Sequence, residues 1–202
     1  MRRNSCRGVC IKRPCSGFGA WHKHRYNSAF TVVELLIVIS IIIVLAGLTL
    51  ATMGYVQNKG GRSRAEAEIA AMSAALESYK ADNGVYPTDP AATENVDPSA
   101  SPVPTTASLF VYKQLTGDSN ANLQPPTGTK SYFAFKPSML MGVKDSNDNL
   151  TSVTFIRDPF GNAYGYSTMK ASGGAKGYNP TFDLWSTAGD AAGNQNQWIK
   201  NW

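Results

Sequence analysis

Between Leu35 and Val56 the chain holds 22 residues without a charge or a proline, LLIVISIIIVLAGLTLATMGYV, and no other feature restricts its fold as much. A helix needs roughly 20 such residues to cross about 30 Å of hydrocarbon. A buried helix of a soluble domain usually keeps a polar stripe, whereas only Ser40, Thr49 and Thr52 interrupt this run. A membrane span is therefore expected. One carboxylate, Glu34, stands at its edge.

The residues ahead of the run set its expected orientation. Arg2, Arg3, Arg7, Lys12, Arg13, Lys23 and Arg25 lie in the first 29 residues, which contain no acid. By the positive-inside rule that end stays in the cytoplasm and the remainder lies outside. The small residues from Ala46 to Gly54 could pass for a signal-peptidase site, but the apolar run exceeds the 7 to 15 residues of a signal h-region.

A basic leader, a small residue, then Phe30-Thr31-x-x-Glu34 and an unbroken apolar helix resemble the N-terminus of type IV prepilins and type II secretion pseudopilins. The resemblance implies that a prepilin peptidase cuts between Ala29 and Phe30 and methylates the new Phe30 amine. It also implies that Glu34 is the acid of the filament core. The family prefers Gly before the cut, and Ala29 in its place bears on the rate of cleavage.

The implied fold is α+β and type IV pilin-like: a long N-terminal helix, transmembrane in its first half, packed on a small antiparallel sheet domain. The expected segments are a removable leader at 1–29, the span and filament-core half of the helix at 30–56, and its periplasmic half at 57–84. A loop region with a short helix follows at 85–130, then the sheet and C-terminal loop at 131–202.

Composition reads differently once the leader is set aside. The net charge of the whole chain, +5, becomes −2 for residues 30–202. The basic balance is thus no footprint of nucleic acid, and none is expected as a partner. Cys6, Cys10 and Cys15 all lie in the leader and lack paired zinc-site spacing. The exported part must fold on packing alone. His22 and His24 are also in the leader, so no nucleophile with a recognisable base remains and an enzyme is not expected.

Beyond a weak point at Gln57 to Gly61, the residues Ala65, Ile69, Met72, Leu76 and Tyr79 recur at helical spacing. Gly84 supplies a left-handed cap and Pro87 blocks continuation. A proline common in family helices would fall at Ala51, and its absence leaves Gly54, Gly60 and Gly61 to supply flexibility. The Pro, Ser and Thr content from Thr88 to Lys130 marks a loop region that contains a short helix at 108–118. Strands are expected at 131–136, 153–156, 164–167 and 181–186, with turns at 145–149 and 158–162.

The blocks YKADNGVYPT, DPFGNAYGY, DLWSTAGD and the terminal IKNW are similar to those of the major pseudopilin branch. Residues 89–152 remain uncovered by that similarity. The branch binds calcium in its last loop. Asp190 matches the first carboxylate ligand and Thr187 a backbone-carbonyl ligand, but Asn196, Gln197 and Trp198 replace the paired acids before the final Ile. Two ways of tying this loop stay open: calcium, or amide hydrogen bonds from Asn194 and Gln195. The clustered aromatic residues from Tyr164 to Trp202 are expected to be core and loop anchors rather than a sugar or peptide platform.

Glu34 has two readings as well. It can sit at the interface and favour the positive end of the helix dipole, worth about 0.3 to 1 kcal/mol. The resemblance implies more: pairing with the Phe30 ammonium of a neighbouring subunit in an apolar bundle. The implied partners are further copies of the chain, the prepilin peptidase, an inner-membrane platform with a cytoplasmic ATPase, minor pseudopilins and a secreted protein cargo. The chain would sit in a bacterial inner membrane with its filament in the periplasm. A surface type IV pilus and a singly anchored, non-polymerising binding domain are the competing functions.

Overall fold

The computed structural model describes residues 30–190 and 192–202. Ala29, the three cysteines and both histidines lie outside the described residues. The chain divides into two compact units, Met1–Gly47 and Leu48–Trp202, and each is taken by itself. Helix α1 is assigned from Val32 to Asn83. Among the described residues it is the one helix long and apolar enough to cross a membrane.

Every described side chain of the first unit is exposed, with Phe30 at 84% and Ile39 at 46%. Leu, Ile and Val surround the helix on all sides, which in water would leave a large apolar surface uncovered. Ser40 does not interrupt this surface, because its hydroxyl donates back to the Ile37 carbonyl at 2.7 Å.

In the second unit α1 becomes amphipathic. Ala65, Ile69, Met72, Ala75 and Leu76 are buried, and Tyr79 packs against them. The helix ends as its glycine requires: Gly84 adopts φ +80° and its N–H closes on the Lys80 carbonyl at 2.7 Å. Helix α2, Thr105–Thr116, buries Ala107, Ser108, Val111, Tyr112 and Leu115 and is capped by Gly117 at φ 73°. It starts earlier than the helix expected at 108–118.

The β structure corrects several expectations. Among the described residues there are two sheets where one is expected: β1 (Leu140–Lys144) with β2 (Leu150–Ile156), and the order β3 (Gly165–Ser167), β4 (Asp183–Ser186), β5 (Ile199–Lys200), all antiparallel. Residues 131–136 form no strand. The N–H groups of Tyr132 and Phe133 both donate to the carbonyl of Leu115, a residue of α2 rather than of a partner strand. Their rings pack in a chain instead: Tyr79 with Tyr132 at 5.2 Å, Phe133 with Phe135 at 4.6 Å, and Tyr112 with Phe135 at 5.5 Å. Pro137 then opens a 3-10 turn, Pro137–Met139.

Strand β1, absent from the expectations, contains Gly142, where any Cβ would fall 1.8 Å from the Ser152 carbonyl oxygen. The register shifts between Met141 and Gly142, so the glycine marks a bulge as well as a close approach. In the second sheet β4 is central and buried at all four positions, and Trp185 lies over Gly165.

Candidate assembly site and C-terminal loop

The helix start is closed by its own side chains. The Thr31 N–H donates to Glu34 Oε2 at 2.9 Å and the Thr31 hydroxyl to the same oxygen at 2.8 Å. In return Glu34 N–H donates to Thr31 Oγ1 at 3.2 Å. This is a reciprocal capping box, in which the side chains satisfy backbone donors that have no partner within the helix. The donors at the Glu34 carboxylate are thus the amide and the hydroxyl of one residue, Thr31.

The structure therefore ties Glu34 to Thr31 at the exposed helix start, and Phe30 precedes Thr31 in the chain without a bond to Glu34 among the described residues. The sequence carried a signal for Thr31, since Thr-x-x-Glu ahead of an apolar run is the capping pattern. What the geometry can do follows directly. A carboxylate on an apolar rod is held by short, exchangeable hydrogen bonds that a stronger cationic donor could replace.

The C-terminal loop is built on Asp190. Its Oδ1 accepts from the Ala192 N–H at 2.9 Å and its Oδ2 from the Asn194 N–H at 2.6 Å. The Asp190 N–H donates to the Thr187 carbonyl at 2.9 Å. Asn194 Oδ1 accepts from Asn196 N–H at 3.2 Å, and Tyr178 donates its hydroxyl to Gln195 Oε1 at 3.0 Å. Thr187 Oγ1 accepts from the Asn162 amide at 3.1 Å. Trp198, 4% exposed, carries the end of the loop into the core against Trp185.

Calcium wants six to eight oxygens, several of them carboxylate. Among the described residues no group of three His, Cys, Asp or Glu is poised to hold a metal. The single loop carboxylate already has both oxygens on backbone N–H groups, and the Thr187 carbonyl accepts from the Asp190 N–H. The residues do not fit the ion, and of the two ways of tying the loop the amide network has its partners in place. Sequence reasoning missed Arg62, whose Nη1 donates to the Gln197 carbonyl at 2.6 Å across 135 residues.

No family model matches the chain, and no solved structure matches it. Two curated relatives do. The type II secretion system core protein G of Aeromonas hydrophila is 34% identical over 82 residues, covering 40% of this chain and 57% of the relative. The protein of the same name from Vibrio cholerae serotype O1 is 35% identical over 66 residues, covering 33% of this chain and 45% of the relative. The chain spans about half the length of the curated relatives it matches. This similarity and the α+β architecture of a long N-terminal helix with small antiparallel sheets agree with the pseudopilin resemblance.

Proposed function

We propose that the chain is a pseudopilin, the structural subunit of a periplasmic filament in a type II secretion-like system that moves folded proteins across the outer membrane. The chain inserts with its basic leader in the cytoplasm, is cut between Ala29 and Phe30 and is N-methylated on Phe30. Copies then leave the bilayer to bundle their apolar helices, and Glu34 pairs with the Phe30 amine of a neighbour. ATP hydrolysis belongs to the cytoplasmic assembly partner, and the chain itself does mechanical rather than catalytic work. Minor pseudopilins and the cargo complete the assembly.

The observation that carries this reading is the first unit, an exposed apolar helix whose lone acid sits in its first turn. A carboxylate at a helix centre costs roughly 2.5 to 3.5 kcal/mol in a bilayer, which favours both its place at the edge and its pairing on assembly. The test is co-expression with a complete assembly system, shearing and pelleting. Periplasmic fibres whose subunits begin at Phe30 and carry one methyl group on its amine are expected. A chain that keeps Met1 and never pellets contradicts the proposal, and fibres reaching beyond the cell would instead identify a surface pilus.

A further inference from the structure

The last loop departs from the ion-binding design that the resemblance implies, and the departure has its own chemistry. From Thr187 to Trp198 the only charged residue is Asp190, so the loop offers one negative charge against the two of a calcium ion. A positive charge reaches the loop from another element, at a carbonyl rather than at Asp190. Arg62, on α1, places a guanidinium nitrogen 2.6 Å from the Gln197 carbonyl oxygen. A divalent cation on that same oxygen would meet a like charge at contact distance.

The neighbouring residues hold this contact in place. Gly61, next to Arg62, lies under the ring of Phe160, and a Cβ at Gly189 in the loop would stand 3.3 Å from Phe160 Cδ1. One ring thus packs on both the helix and the loop, one residue away from the Arg62 fastening. Inside the loop, Gln197 N–H donates to the Asn194 carbonyl at 2.9 Å and Trp198 N–H to that of Gln195 at 3.3 Å. The carbonyl that Arg62 engages is therefore held in a closed turn.

We propose that Arg62 is the charged fastening of this loop and that the chain holds it without a divalent metal, the guanidinium engaging the Gln197 carbonyl. The proposal stands apart from whether the chain polymerises, and it is tested on the unassembled full chain in detergent micelles. Thermal unfolding is recorded with a chelator and with excess calcium chloride, alongside amide hydrogen exchange of residues 194–198 in wild type and Arg62→Met. Wild-type melts are expected to superimpose in the two buffers. Exchange in Arg62→Met is expected to be faster by roughly tenfold, the loss of one charge-assisted hydrogen bond, with or without calcium. A wild-type melt raised by calcium overturns the proposal, as does a variant whose loop exchanges at the wild-type rate or is restored by calcium. Should Arg62→Met fail to fold, Arg62→Gln, which also removes the charge, takes its place with the same two outcomes.

Discussion

The ring of Phe160 rests on the bare backbone of Gly61, where a Cβ would stand 3.0 Å from Cζ and 3.1 Å from Cε1. Its neighbour Gly60 has nothing within 4 Å of the same position. Two adjacent glycines thus have opposite meanings. Gly60→Ala should stabilise the chain by about 1 kcal/mol, the helix-propensity difference. Gly61→Leu should destabilise it by about 1 to 3 kcal/mol, because the ring must be displaced. Paired thermal melts of the two variants check this, and equal shifts would refute the packing role.

Gly165 makes a stricter demand. A Cβ there would lie 2.1 Å from Trp185 Cε2, and Trp185 is fully buried in the central strand β4. The indole has no room to retreat, so Gly165→Ala should cost about 3 kcal/mol or more. Denaturant unfolding with tryptophan fluorescence should show a lowered midpoint and a disturbed indole environment.

Thr31 is expected to act through its hydroxyl. Thr31→Ala removes both the donor to Glu34 and the acceptor for the Glu34 N–H, while Thr31→Ser keeps them. The alanine variant should lose about 1 kcal/mol of local stability. Amide exchange at residues 31–35 in micelles should accelerate in Thr31→Ala and stay near wild type in Thr31→Ser.

An acid-sensitive contact joins Asp97 to Lys176, whose Nζ lies 2.6 Å from Asp97 Oδ2. The Lys176 ammonium, with the Ser99 hydroxyl and N–H on the other oxygen, holds the Asp97 carboxyl at about 2, below its ordinary 3.8. A depressed folded-state pKa stabilises above the ordinary value and loses that contribution as pH falls through the folded one. Stability should therefore decline from about pH 4 to about pH 2 through this group, by a small amount because Lys176 is mostly exposed. In Lys176→Met the folded value moves back toward the ordinary one, so the decline across this range should shrink, which melts across a pH series would reveal.

What was legible in the sequence is what local rules govern. The face from Ala65 to Tyr79, the left-handed cap at Gly84 and the turn at Asp158 to Asn162 each follow from residues close in the chain. Strand β1 was hidden because Gly142 breaks its pattern, and β5 because two residues carry no periodicity. The aromatic residues of 131–136 imitate a strand while their rings pack against the ends of two helices. In the site, Thr31 carries a motif, whereas the meeting of Arg62 with a carbonyl 135 residues away depends on the tertiary fold alone.

In the proposed assembly, charge pairing rests on Glu34, and the most direct measurement is the fibre yield of Glu34→Gln beside wild type in the same export system. The glutamine variant retains an oxygen for Thr31 and should match wild type in insertion and processing, but its amide carries no charge to neutralise a neighbour's ammonium. Normal insertion with no pelleted fibre is the expected result. A wild-type yield of fibres from Glu34→Gln would contradict the account.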